Sequence, residues 1–176
     1  MKYYFRLLWL VLTRHRRPRC ALTGPCRTDF RVLPNDLDVL GHMNNGAYLT
    51  IADLGRTDLL LRAGLFGPIR QRGWYPVVAA ETIRFRRSLR PFQRYSITTR
   101  VLAWTARSFY LEQHFERRGE TIAVALIDVR FLAGVAGPVA TSDVLSLSAQ
   151  GVESPPLPAW IENWTASMRE MASRRD

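Results

Sequence analysis

Cysteine is nearly absent from this chain. Its two copies, Cys20 and Cys26, form no CxxC pair and have no histidine pair nearby. A zinc site and a disulfide framework are therefore both excluded, and free thiols in a reducing cytosol are expected. Long apolar runs are missing as well. The N-terminal stretch MKYYFRLLWLVLTRHRRPR has an apolar run of about ten residues, well short of the roughly 20 that a membrane-spanning helix needs. It lacks a small-residue cleavage site, and its arginines follow the apolar run instead of preceding it, which argues against a cleaved signal peptide. There is no internal repeat and no low-complexity segment.

Acids are outnumbered, 15 against 25 basic residues, for a formal charge of +10. Residues 1–19 hold six of the cations and no acid. A second group, Arg84, Arg86, Arg87, Arg90, Arg94 and Arg100, is interleaved with hydrophobic residues. Charge of this kind suits nucleic acid, anionic lipid or a phosphorylated small molecule. No zinc-finger spacing, RNA-binding aromatic signature or helix-turn-helix pattern supports nucleic acid, which is not expected as a partner.

What is present describes one folded domain. A chain of 176 residues with 47% hydrophobic residues has room for a sizeable core. On a helical wheel, Lys2, Arg6, Thr13 and Arg17 share one narrow stripe, and Tyr3, Leu7, Leu8, Val11 and Leu12 cover the broad opposite side. Two readings follow for residues 1–19. The helix lies in a membrane interface with its arginines near headgroups, or its apolar side packs on the domain or a partner subunit.

Beyond a turn-rich connector, Thr28–Leu33 alternates as a short strand. Asn44 or Asn45 caps a helix running to about Ala63, whose core side holds Tyr48, Ile51, Ala52, Gly55 and Leu59. Gly64 stops it, and residues 64–74 form a loop or short helical turn. Four β-rich runs follow, YPVVAAETIRFRRSL, QRYSITTRVLAWT, SFYLEQHFERR and ETIAVALIDVRFL, with a tight hairpin at Arg118-Gly119. Residues 133–157 read as irregular. A last helix starts at Pro158, with Trp160, Ile161, Trp164, Met168 and Met171 as its apolar stripe. The layout is α+β, with an antiparallel sheet wrapped around one long central helix plus N- and C-terminal helices. Three segments are delimited: 1–19 basic helix, 20–149 main domain, 150–176 Pro-rich linker and helix.

The chemistry concentrates in DLDVLGHMNNGAYL, Asp36 to Leu49. Asn, Asp and Gly suit any loop-to-helix junction, and Asp36 alone reads as a solvated loop acid. Yet a helix N-terminus gathers unpaired N–H groups and the positive end of the macrodipole, so it receives a developing oxyanion. An aspartate on the approaching loop can face the same spot, and the two together suffice for acyl transfer to water.

This run, with Asp36, Asp38, Gly41, His42, Asn44, Asn45 and Tyr48 in register and Asp53 and Arg56 along the helix, resembles the signature of hotdog-fold acyl-CoA thioesterases of the 4-hydroxybenzoyl-CoA thioesterase type. NDLDVLGHMNN, RFRRSLRPFQRY and FYLEQ are similar to the thioesterase superfamily member six group and its bacterial relatives. The resemblance spans roughly residues 27–133. It implies a hotdog fold and hydrolysis of an acyl-CoA, or acyl carrier protein, thioester to an acid and a thiol. Asp38 falls on the family's catalytic carboxylate, as nucleophile or as general base. The N–H near Asn45 polarises the carbonyl, and His42 lines the pocket or fixes Asp38. Gly41, Asn44 and Tyr48 border the substrate, and Asn44 or Asn45 orients water. Asp53 departs from the family's more common glutamate, and an internal pair with Arg56 or Arg84 is its plain reading.

The resemblance also places the substrate's nucleotide near a subunit boundary, within reach of Arg84, Arg86 and Arg90, with Arg87 and Arg94 beside them. Phe66, Trp74 and Tyr75 are candidates for an acyl channel or for core packing. No metal or bound cofactor is implied, since coenzyme A is part of the substrate. A homodimer or higher homo-oligomer is expected, with the pocket between the helix of one subunit and the sheet of the other. The implied location is cytoplasmic, with peripheral contact at the inner face of a membrane through residues 1–19. The competing reading is a non-hydrolytic acyl-CoA- or lipid-binding hotdog protein. A hotdog dehydratase fits less well, because those enzymes use a different His-centred loop.

Overall fold

The computed structural model describes residues 2–148 and 153–174, so the segment boundary at 149/150 lies outside the described residues. Two peripheral helices, α1 (Lys2–Thr13) and α5 (Ala159–Ser173), flank strand β1 (Cys26–Arg31), the long helix α2 (Asn45–Arg62) and the short helix α3 (Phe66–Gln71). Strands β2 (Tyr75–Phe85), β3 (Arg94–Trp104), β4 (Phe109–Arg117) and β5 (Glu120–Leu132) follow, then β6 (Pro138–Val139) and α4 (Thr141–Leu145). The sheet is antiparallel in the order β1-β3-β4-β5-β2, with β6 added on β5.

Local chemistry explains the boundaries. β4 and β5 are joined at Arg118-Gly119, with φ of 53° and 80°, the left-handed pair that a two-residue hairpin turn requires. The side chain of Asn44 accepts a hydrogen bond from the Gly46 N–H at 2.8 Å and caps α2. At the other end Gly64 sits at φ +75°, and Leu65 N–H donates to the Leu60 carbonyl while Gly64 N–H donates to that of Leu61. This Schellman closure satisfies carbonyls that the helix leaves open.

α2 lies against the sheet through Tyr48, Ile51, Ala52, Gly55 and Leu59, the side the sequence pattern selects, and all are buried. At Gly55 the approach is so close that a Cβ would fall 2.9 Å from Gln113 Nε2. The opposite side of α2 is covered too, by α1 and its connector, so Leu54, Asp58 and Arg62 are also buried. Each fully buried aliphatic side chain there contributes about 1.5–3 kcal/mol.

Four sequence expectations change. α1 is turned so that its cationic stripe faces inward: Arg6 grips the carboxylate of Asp36, and Arg17 that of Asp58. Both carboxylates are shut off from water, and an unpaired buried charge is costly enough to set the helix rotation. Of the apolar side, Tyr3, Leu7 and Val11 pack against the core, as one of the two readings has it, whereas Leu8 and Leu12 point out. Asp36 is a buried anchor instead of a solvated loop acid. On α5, Ile161 is buried against Tyr110 and Leu126 with Trp164 packed beside them, while Trp160 and Met171 are exposed. Residues 133–157, read as irregular, contain β6 and α4; Val139 and Val144 both enter the core.

Candidate functional site

The loop from Asp36 to Asn44 is a closed clasp. Asp36 is 1% exposed and takes Arg6 Nη1 at 3.0 Å, Arg6 Nη2 at 2.6 Å and the Leu33 N–H at 2.9 Å. Its carbonyl accepts the Asn44 N–H at 2.8 Å. Leu37 and Met43 form an antiparallel bridge, and Met43 N–H donates to the Leu89 carbonyl at 2.8 Å. Both arms of the loop are thus fixed, one by a buried ion pair and the other to the β2–β3 connection.

Asp38 sits at the turn of this clasp, half-buried. Its Oδ1 accepts the Leu40 N–H at 2.9 Å and the His42 N–H at 3.2 Å, while its own N–H donates to the His42 carbonyl at 2.8 Å. Its other oxygen, Oδ2, accepts nothing from the described residues. Gly41 makes the turn possible at φ +74°, with open space where a Cβ would be, so backbone conformation and not crowding selects glycine there. His42 fixes Asp38 through its main chain, not through its imidazole.

The other arm runs directly into α2. Asn44 is spent as the N-cap. Asn45, the first helical residue, is exposed, and its N–H finds no acceptor among the described residues. With no acid in the first turn, the positive end of the helix dipole there is uncompensated and suits an anion.

The remaining expected residues divide. Tyr48 is 2% exposed and packs edge-on against Phe85 and Phe115, with ring centroids 5.1 and 5.2 Å away. It packs within the core, and burial pushes its hydroxyl pKa upward. Arg84, Arg86 and Arg90 are all exposed. Arg90 follows Leu89, the residue clasped by Met43, and so borders the Asp38 loop; Arg84 lies back along β2. Arg87 instead pairs with Glu120 at 3.0 Å.

Asp53 pairs with Arg56 at 3.3 Å, and its other oxygen accepts the Tyr3 hydroxyl at 2.7 Å. Arg56 also donates to Gln113 Oε1 at 2.9 Å, and Gln113 Nε2 donates to the Ala52 carbonyl and the Thr99 hydroxyl, each at 2.9 Å. Burial lowers the Arg56 pKa, with Asp53 and Glu81 pulling the other way. The Asp53–Arg56 pair is the one the sequence suggests; the links to Gln113 and Thr99, like the buried Asp58, escaped the sequence reading, because Gln113 and Thr99 come from different strands and carry no local signal.

A cavity of about 110 Å³ opens beside that network, between α2 and the sheet. Asp53, Arg56 and Thr57 provide its polar side; Leu22, Val101 and Val144 are among its apolar walls. Phe66, Trp74 and Tyr75 are not part of it: Phe66 and Trp74 pack on the core, and Tyr75 is exposed. Asp53 lies eight residues after Asn45, about 12 Å further along the helix axis, so cavity and clasp are separate regions in one chain.

A curled antiparallel sheet around one central helix, with an acid clasp at the helix tip, defines a hotdog fold. The chain belongs to the thioesterase-like superfamily, whose family model matches residues 32–165. It is 40% identical to Protein THEM6 of Xenopus laevis over 133 residues, which is 76% of this chain and 63% of that protein. The chain thus spans less than two thirds of that relative. Among solved structures it is similar to YbaW of Escherichia coli, described as a probable thioesterase, with TM-score 0.64 and 23% identity over 71% of this chain and 99% of that one. The BH1999 gentisyl-coenzyme A thioesterase superposes with TM-score 0.61 at 23% identity, covering 70% and 99%.

Proposed function

We propose that the chain hydrolyses acyl-CoA thioesters to a carboxylic acid and free thiol at the Asp36–Asn45 clasp. One observation carries this reading. Asp38 has one oxygen locked by two backbone donors and the other without a partner among the described residues, on a loop that leads straight into an uncompensated helix N-terminus. The locked oxygen orients the carboxylate; the free one attacks the thioester carbonyl, or draws a proton from the water that does. The carbonyl oxygen gains charge as the C–O bond forms, and the Asn45 N–H with the helix dipole offsets it. Collapse of the tetrahedral adduct breaks the C–S bond and expels the thiolate, which takes up a proton to leave as the thiol. On the direct-attack route this leaves an acyl–Asp38 anhydride, which water then hydrolyses to the carboxylic acid and the free carboxylate. The reaction draws only on the chain's carboxylate and a water, with no metal or cofactor.

The BH1999 relative carries coenzyme A chemistry in its name, and exposed Arg90, Arg86 and Arg84 supply guanidinium forks for the nucleotide phosphates. β2, an 11-residue edge strand with one side unpaired, is the surface through which a second copy would complete the sheet. Light scattering at about twice 20.2 kDa is the expected result.

The test is thiol release from a panel of acyl-CoAs. Wild type turns over at least one chain length, and Asp38→Ala loses about 10²–10⁴-fold in kcat. Undiminished turnover by Asp38→Ala overturns the site. Acyl-CoA binding without any turnover establishes instead a non-hydrolytic binding protein at a membrane surface, the second reading, which the outward apolar face of α1 favours.

A further inference from the structure

α1 presents to solvent the kind of surface a helix ordinarily hides. Tyr4, Phe5, Leu8, Trp9 and Leu12 are 72%, 70%, 53%, 47% and 69% exposed. Their spacing of one and four residues places them on one continuous face. The helix is not loosely attached in that orientation. Leu10 is fully buried beneath it, and Tyr3, Arg6 and Arg17 tie it to Asp53, Asp36 and Asp58. Arg17 also lies over the Trp9 ring, 5.6 Å from its centroid, and donates to the Leu10 carbonyl at 2.6 Å.

Cations continue the surface at the C-terminal end of the helix. Arg14, His15, Arg16 and Arg19 are all exposed. Arg14, His15 and Arg19 also edge a groove that includes Arg17, Arg62 and Phe66 and has no carboxylate among its lining residues. Among the described residues, none of the Arg14, Arg16 and Arg19 guanidinium groups is ion-paired. An aromatic and aliphatic face beside unpaired arginines is complementary to one surface, in which apolar tails lie under negative headgroups. A protein partner would need to supply both an apolar groove and an adjoining acidic rim.

We infer that α1 docks the domain onto an anionic phospholipid bilayer. The helix lies in the interfacial plane, with Phe5, Leu8, Trp9 and Leu12 entering the acyl boundary and Arg14, Arg16 and Arg19 meeting lipid phosphates. No helix among the described residues is long and apolar enough to cross a membrane, and the contact proposed for α1 is an interfacial one. The inward ion pairs work as struts: they hold the apolar face outward before any membrane is met, so no refolding is needed on docking. This inference does not depend on hydrolysis.

The experiment is flotation of the full chain with phosphatidylglycerol-rich vesicles and, in parallel, with pure phosphatidylcholine vesicles. Wild type rises with the anionic vesicles and stays behind with the neutral ones. Phe5→Glu with Leu8→Glu lowers partitioning by more than about tenfold. Arg14→Ala with Arg16→Ala and Arg19→Ala lowers it by about fivefold per charge removed. All these positions are exposed, and an unchanged thermal melt verifies that the variants are folded. The inference is overturned if wild type floats with neither vesicle, or if the Phe5/Leu8 variant floats as well as wild type. It is equally overturned if that variant turns a dimer into a monomer by light scattering, since a second copy would then be what covers the face.

Discussion

Arg6 and Asp36 meet in a two-pronged contact, Nη1 to Oδ1 at 3.0 Å and Nη2 to Oδ2 at 2.6 Å, with the carboxylate side chain wholly shielded from water. The pair joins the N-terminal helix to the clasp that carries Asp38. Arg6→Met strands a buried carboxylate and is expected to cost about 3–5 kcal/mol, read as a lower urea midpoint. Arg6→Met combined with Asp36→Asn costs less than Arg6→Met alone, because the amide still accepts from Leu33 N–H and carries no charge.

Gly55 is where α2 touches the sheet most closely. Alanine at an interior helix position ordinarily gains about 1 kcal/mol over glycine. Here the added Cβ meets Gln113 Nε2 at 2.9 Å, so Gly55→Ala is expected to destabilise by about 1–3 kcal/mol. Calorimetric melting of the two proteins measures the sign.

Much of this architecture is legible in the amino-acid sequence. The four long strands, the 118–119 hairpin, a cap at Asn44 or Asn45 and the Gly64 stop all follow from local rules, since alternation, cap chemistry and left-handed glycine act within a few residues. The Asp38 clasp was recognisable for the same reason: its acid, glycine and amides are neighbours in sequence. What could not be read was whatever pairs distant segments. The wheel of α1 separates charge from apolar residues but is silent on Asp36 and Asp58, which draw Arg6 and Arg17 inward and leave Leu8 and Leu12 outside. Arg56, Gln113 and Thr99 come from three elements and meet only in the fold. The short elements β6 and α4 are formed by packing on β5 and the core, with too few residues to show a period.

Gly41 offers a conformational test of the clasp. Its φ of +74° with open space around the Cβ position means that Gly41→Ala costs about 1–2 kcal/mol of backbone energy. If that energy is relieved by reopening the turn, the two amides leave Asp38 Oδ1. The expected signature is a fall in kcat of about tenfold or more with a small change in melting temperature. Gly41→Asn retains more activity, because asparagine tolerates the left-handed region.

Alkaline pH should destabilise the fold in two stages. Burial, and then its hydrogen bond to Cys20, push the Cys26 thiol upward; burial does the same to the Tyr48 and Tyr95 hydroxyls. In each case the unfolded chain loses its proton first. Stability is then full below the unfolded pKa and falls as pH rises above it, by up to about 1.4 kcal/mol per pH unit for each group. Urea midpoints are expected to decline from about pH 8.5 and more steeply beyond about pH 10. Cys26→Ala should flatten the first decline and leave the second.

The cavity beside Asp53 is walled on one side by Leu22, from the connector after α1, and on another by Val144, from α4. Neither residue belongs to α2 or to strands β1–β5, which set the frame. The size of that hollow is therefore adjustable at its rim, by exchanging one aliphatic side chain for another, with the helix–sheet contact at Gly55 left untouched. A lineage carrying this fold can retune what it accommodates there without rebuilding the scaffold.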